Sequence, residues 1–174
     1  MDGQAQGTRF REWLTEHTGL LLKVARSFAE GAADVDDLLQ EMLLQVWISL
    51  PNFRGQSKPT TWLYRVALNT ALAWKRREHK HRGQGLAIAT VAEIIEDAAL
   101  SEEQQAQREQ LEQLYAAIRA LEPTKRALVL LYLDGLTYAE MAEVTGISES
   151  NVGVRLNRIK KELSALLKAP THVA

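Results

Sequence analysis

The sequence contains no cysteine. That excludes a disulfide framework, a thiolate-held zinc site and a thiol nucleophile. Histidine is scarce too: His17, His79, His81 and His172 are the whole set, and no two stand at the i, i+4 spacing by which a helix presents a metal-ligand pair. No glycine loop of the phosphate-binding kind precedes a strand, and no stretch alternates apolar and polar residues. No uninterrupted apolar run approaches the length of a membrane span, and the polar N-terminus lacks the apolar stretch of a signal peptide. These absences predict a soluble, cytoplasmic, all-α protein that is not an enzyme, has no cofactor or metal, and does not insert into a membrane. The tail after Lys168 is expected to be too short for a sensory extension.

What is present is a pattern of charge. The chain of 174 residues carries a net charge of only −1. That small figure conceals four blocks: net −4 over residues 1–50, +7 over 51–82, −6 over 83–124 and +2 over 125–174. A basic block between two acidic ones is a local electrostatic footprint for nucleic acid. Aromatics make up only 6% of the chain, yet Phe53, Trp62, Tyr64 and Trp74 all fall in or beside this basic block. Residues 52–59 form a turn-rich loop, followed by a helix bearing Trp62, Tyr64, Arg65, Asn69 and Trp74 and ending in Lys75, Arg76 and Arg77. Aromatics stack on unpaired bases, cations neutralise phosphates, and a loop can cup a base taken out of its stack. The stretch thus suits a surface that holds single-stranded DNA. A solvated helix end with core tryptophans is the alternative.

Apolar periodicity predicts helices throughout. The first runs from Arg9 to about Ala29, after a frayed N-terminus, and Gly31 ends it. Asp34 is a candidate cap for the second, Val35 to Leu50, which Pro51 stops. On that helix Asp37, Gln40 and Glu41 form one polar patch. Pro59 fits the first turn of a third helix, from about Thr60 to His79. Residues 83–106 are acidic and broken by glycine at their start, the character of a linker between two domains. A second compact unit begins near Gln107. It contains an amphipathic helix through Leu121, a helix from Thr124 to Leu133, a short helix from Tyr138 to Val144 and a final one from Glu149 to Leu167. Thr137 and Glu140 form a capping-box pattern, Gly146 marks a turn, and Ser148 can cap the last helix.

The pair at 137–163 reads as a helix-turn-helix. Its last helix has an apolar stripe of Val152, Leu156, Ile159 and Leu163. The opposite face carries Ser150, Val154, Asn157, Arg158 and Lys161, with Arg155 at its flank. The second helix of such a unit lies in the major groove, where arginine pairs with guanine and asparagine with adenine. An αα-hairpin that packs on a partner would show the same spacing. A helix-turn-helix regulator with a helical sensory or dimerising domain would explain residues 107–174. It would not need the loop and helix at 52–77 or the patch at Asp37, Gln40 and Glu41.

These motifs together resemble bacterial RNA polymerase sigma factors of the extracytoplasmic-function group, which keep only sigma regions 2 and 4. DVDDLLQE at 34–41 looks like region 2.2. FRG at 53–55 through TWLYRVALNT at 61–70 looks like regions 2.3 and 2.4. GLTYAEMAE at 135–143 through NRIKKEL at 157–163 looks like region 4.2.

The resemblance implies two small helical domains, at 1–82 and 107–174, joined by a flexible linker over 83–106. It implies that Asp37, Gln40 and Glu41 dock on the clamp helices of the largest polymerase subunit, with the flap of the second subunit as a further contact. The loop Ser57, Lys58, Pro59, Thr60 and Thr61 would hold a base flipped from the −10 element. Trp62, Arg65 and Asn69 would lie along the junction of duplex and bubble, with Lys75, Arg76 and Arg77 on phosphates. Ser148, Ser150, Asn151, Val154, Arg155, Asn157, Arg158 and Lys161 would read the −35 element. The acidic linker would thread the polymerase cleft. Promoter DNA and core polymerase are the implied partners, and an anti-sigma factor is a further partner that the resemblance allows. Two positions depart from the family pattern. Gly153 and Val154 stand where relatives often carry a cation and serine, and a glycine there is expected to let the backbone approach phosphate. Lys58 and Pro59 replace an aromatic found in some relatives, and Pro59 is expected to stiffen the loop.

Overall fold

The computed structural model describes residues 3–81 and 101–168; for His79, Lys80 and His81 only the backbone is described. All regular structure among these residues is helical: α1 Gly3–Phe28, α2 Ala32–Ser49, a 3-10 turn Leu50–Asn52, α3 Pro59–His81, α4 Glu102–Ala120, α5 Pro123–Leu133, α6 Tyr138–Thr145 and α7 Glu149–Lys168. The expected linker at 83–106 lies outside the described residues up to residue 100.

The first three helices pack on one another. α1 buries Leu21, Val24, Ala25 and Phe28, spaced to form one face. α2 contributes Leu38, Met42 and Val46, one residue per turn. α3 buries Leu63, Tyr64, Ala67, Leu68 and Ala71. Its two alanines keep that ridge low enough for α1 and α2 to approach together. Of the frayed start expected for residues 1–8, the part from Gly3 on is instead the beginning of α1. The Gln6 side chain donates to the Trp47 carbonyl at 2.8 Å, and Phe10 meets the Trp47 ring edge-on at 5.2 Å. Asp34 is not the cap of α2. Gly31 holds that position at φ 81°, a left-handed conformation natural to glycine, and helix begins at Ala32. Asp34 lies in the first turn, where its charge suits the helix dipole.

The other four helices form the second bundle. α4 starts five residues before the expected Gln107, because Ser101 and Gln104 close a capping box. α5 is buried over every residue from Arg126 to Leu131, as befits a helix packed against neighbours on all sides. It touches α4, α6 and α7, and also α1 and α3. The two bundles therefore share one continuous apolar cluster, which runs from Leu21 in α1 to Leu163 in α7.

Arg126 is buried in that seam. Its Nε donates to the Leu121 carbonyl at 2.7 Å, and a second nitrogen donates to the Arg119 carbonyl. These are carbonyls at the end of α4, which has no following turn to satisfy them. The guanidinium also lies 5.6 Å from the centre of the Phe28 ring. Burial pulls its pKa down from the ordinary arginine value. Arg126→Ala should destabilise the fold by about 3 kcal/mol, since charge-assisted bonds and apolar packing are lost together. Arg126→Lys should recover only part, because an ammonium cannot fork to two carbonyls. Urea unfolding followed by circular dichroism measures both.

Candidate nucleic-acid interface

Three exposed surfaces emerge from this packing. The first is the outer face of α2. Asp37 and Gln40 are exposed, as the spacing predicts. Glu41 is half-buried, and Arg77 of α3 grips both its carboxylate oxygens at 2.6 and 2.7 Å. The same stripe continues one and two turns on with Leu44, 53% exposed, and Ile48, 56% exposed. Sequence reading missed these two. Positions 37, 41, 44 and 48 follow helical periodicity, so the signal was there. The intervening Leu43 and Val46, which face inward, obscured it.

The second surface is the loop before α3 and the helix that follows. Gly55, at φ 72°, turns the loop back on itself. Trp62 meets Phe53 at 5.5 Å and Trp13 at 5.6 Å, edge to face, so three rings support the loop from beneath. Beside them opens a cavity of about 540 Å³, lined by Asn52, Phe53, Arg54, Gln56, Ser57, Trp62, Arg65 and Glu143. The loop residues that make it are 52–57 rather than 57–61. Of the predicted five only Ser57 lines it. Lys58, Pro59 and Thr60 stand outside its wall, and Thr61 is buried in the core. The shift follows from Pro59, which already begins α3 and winds the next residues into its first turn.

Trp62, Arg65, Asn69 and Arg76 lie along one side of α3. Trp62 and Arg65 are half-buried, and Asn69 and Arg76 are exposed. The three terminal cations do not act together. Lys75 is 8% exposed, bonds Glu78 at 2.6 Å and rests 5.6 Å from the centre of the Trp74 ring. Its expected phosphate contact is therefore corrected, since its ammonium faces protein. Arg77 is committed to Glu41. Arg76 alone of the three points to solvent with no ion pair among the described residues.

Two further cations are already engaged. Lys58 donates to Glu140 of α6 at 2.7 Å. Arg65 donates to the Glu143 carboxylate at 3.0 Å and to its backbone carbonyl at 3.1 Å. The bond from Lys58, joined by the Thr137 backbone and hydroxyl donors, holds the Glu140 carboxyl down at about 2. It is fully charged at neutral pH.

The third surface is the helix-turn-helix. Thr137 and Glu140 close the expected capping box, and Gly146 ends α6 in the left-handed conformation at φ 72°. The Ser148 hydroxyl accepts from the Asn151 backbone at 3.4 Å, which starts α7. Val152, Leu156, Ile159 and Leu163 are buried as predicted. Ser148, Ser150, Asn151, Val154, Arg155, Asn157, Arg158 and Lys161 are all exposed. No ion pair among the described residues involves Arg155, Arg158 or Lys161.

Gly153 serves packing. A Cβ there would lie 3.3 Å from the Tyr138 ring of α6, so the glycine lets the two helices of the unit close on that ring. Tyr138 is 41% exposed and can shift outward. Gly153→Ala should thus raise stability by less than the ~1 kcal/mol of helix propensity. A thermal melt would show a Tm increase of at most a few degrees. A fall in Tm would mean that the ring cannot move.

An apolar groove of about 350 Å³ runs between α5 and α7, with Val129, Leu133, Leu163 and Leu167 in its walls and the Lys160 ammonium 3.8 Å from the centre of the Tyr132 ring. No group of three or more His, Asp or Glu among the described residues could hold a metal, and no helix among them is long and apolar enough to cross a membrane.

Comparison with known proteins agrees with this geometry. The family "Sigma-70 region 2" matches residues 13–81, and "Sigma-70, region 4" matches residues 111–163. RNA polymerase sigma factor CnrH of Cupriavidus metallidurans is 30% identical over 94% of this chain and 88% of its own length. The ECF RNA polymerase sigma-E factor of Escherichia coli is 32% identical over 76% of this chain and 73% of its own. Among solved structures, CnrH in complex with the cytosolic domain of CnrY superposes with a TM-score of 0.67 and 26% identity, covering 97% of this chain and 95% of that one. The sigma factor RpoE of Bartonella quintana, in complex with the anti-sigma factor NepR, superposes equally well at 22% identity over 93% and 98% of the two chains, a likeness of fold. With both family models matched and relatives of this kind over most of its length, the chain belongs to the RNA polymerase sigma factors of the extracytoplasmic-function type.

Proposed function

We propose that this alternative sigma factor, which directs RNA polymerase to promoters, divides that work among its three surfaces. α2 grips the clamp helices of the largest subunit through Asp37 and Gln40, with Leu44 and Ile48 as the apolar part of the same contact. Exposed large apolar residues in a row mark such a site. The groove between α5 and α7 suits the flap of the second subunit. The face of α7 centred on Arg155 and Arg158 reads the −35 element in the major groove. The loop at 52–57 and the side of α3 from Trp62 to Arg76 hold the non-template strand of the −10 element. The protein works in the cytoplasm, has no catalytic chemistry of its own, and takes an anti-sigma factor as its inhibitory partner.

The observation that carries this reading is the cavity beside Trp62. Its volume lies within the roughly 300–1,000 Å³ of small-ligand sites. Its floor is aromatic and Arg54 and Arg65 line it, which is the chemistry of an unstacked base with its phosphate. Removing a base from the stack costs a few kcal/mol, and stacking on an aromatic returns about 1–3. The exchange nearly cancels, so melting needs the strand delivered at high effective concentration by a polymerase already docked. The chain alone should therefore shift promoter DNA poorly in an electrophoretic assay, and the complex with core enzyme strongly. Strong, sequence-specific binding by the chain alone would favour a helix-turn-helix regulator instead.

A further inference from the structure

The outward face of α7 is polar except at its centre. Val152, Leu156, Ile159 and Leu163 form the buried stripe. At about 100° per residue, Val154 points roughly 170° away from the middle of that stripe. It is 53% exposed. Among the described residues 149–158, the first turns of α7, Val154 is the only exposed apolar side chain, set beside Ser150, Asn151, Arg155, Asn157 and Arg158.

Its place along the helix matters as much. The N-terminal part of a recognition helix is the part that reaches base edges. Val154 stands about 8 Å along the axis from the start of α7, whereas Lys161, on the same midline, stands about 18 Å along, beyond a groove about 12 Å wide. Ser150 lies nearer the start, and its hydroxyl is engaged with that of Ser148 at 3.2 Å. Val154 therefore faces the groove floor. The turn that carries it is seated firmly, since a Cβ on the adjacent Gly153 would lie 3.3 Å from the Tyr138 ring. A β-branched side chain in a helix keeps essentially one rotamer, so the aim of its two methyl groups is fixed.

A valine can neither donate nor accept a hydrogen bond. Pressed on the edge of guanine, adenine or cytosine, it strips water from a polar group and leaves that group unpaired, which is unfavourable. Thymine alone presents an apolar group in the major groove, its C5 methyl. We propose that Val154 sets base choice in the −35 element: it requires thymine at the base pair beneath it, through contact with the C5 methyl group. This rests on the reading of α7 as the helix that lies in the −35 major groove.

The test uses core polymerase carrying the full chain. Duplexes that this holoenzyme binds are selected from a random-sequence library, and the upstream element is read from their alignment. One position of that element should be thymine. Val154→Ser should relax that position and keep the choice of base at the others; the side chain is exposed, so the fold is retained. Deoxyuridine differs from thymidine only by the missing methyl group. Placed at the selected position, it should weaken wild-type binding about fourfold, the size expected for one methyl group leaving an apolar contact. The Val154→Ser holoenzyme should bind the thymine and uracil duplexes equally. An upstream element without thymine, a wild type indifferent to uracil at every thymine of that element, or a Val154→Ser chain with the same loss as wild type would each overturn the assignment. The reading of α7 is judged separately by Arg155→Ala with Arg158→Ala, which should erase the upstream element from the selection. If the element survives that change intact, or if wild type selects none, α7 is not the reader and the assignment falls with it.

Discussion

An Ile48→Asp chain should lose core polymerase by a hundredfold or more while folding normally. Ile48 is 56% exposed, so the substitution leaves no cavity and strains no neighbour. Its cost arises only in the complex. There it removes apolar contact and places a carboxylate in a desolvated interface without a partner, a penalty of several kcal/mol. About 2.7 kcal/mol already corresponds to a hundredfold. Titration of labelled chain with core enzyme measures the loss, and circular dichroism confirms the fold. Gln40→Ala with Glu41→Ala should weaken the complex less, by about tenfold, since polar rim groups contribute little on truncation. That variant has a second consequence, because loss of the Glu41 carboxylate releases Arg77. If Ile48→Asp bound normally, the docking face would have to lie elsewhere than on α2.

The second large effect concerns promoter choice. Arg155→Ala with Arg158→Ala should leave core binding intact and abolish selective initiation at promoters that depend on the upstream element. Both side chains are exposed, with no ion pair among the described residues, so neither supports the fold. A guanidinium that forks onto guanine discriminates by about 1–3 kcal/mol. Losing both would lower upstream occupancy by two orders of magnitude or more. Should one arginine contact phosphate instead, binding would weaken evenly across sequences and its slope against salt would fall by about one. Run-off transcription combined with a salt titration separates the two roles.

What could be read from the sequence was what repeats every helical turn. The inward stripe of α7, the capping box at Thr137 and the turn at Gly146 depend on residues a few positions apart, and each lies where periodicity and turn chemistry predict. The basic block at Lys75, Arg76 and Arg77 misled for the same reason. Adjacent residues on a helix point about 100° apart. One faces the core, one the solvent and one α2. Partnerships across the chain were out of reach. Lys58 finds Glu140 and Arg65 finds Glu143 only because α6 packs on α3, some eighty residues away in sequence. Nor could the sequence show which loop residues line the cavity, since Glu143 of α6, far along the chain, completes its wall.

Division of labour between a docked polymerase and a strand-holding helix is most directly tested by initiation itself. Purified bacterial core enzyme, incubated with genomic DNA of the parent organism and nucleotides, should begin RNA at discrete positions only after this chain is added. The 5′ ends should share a sequence centred about 10 base pairs upstream and a second near 35. Random or unchanged 5′ ends in the presence of the folded chain would contradict the account.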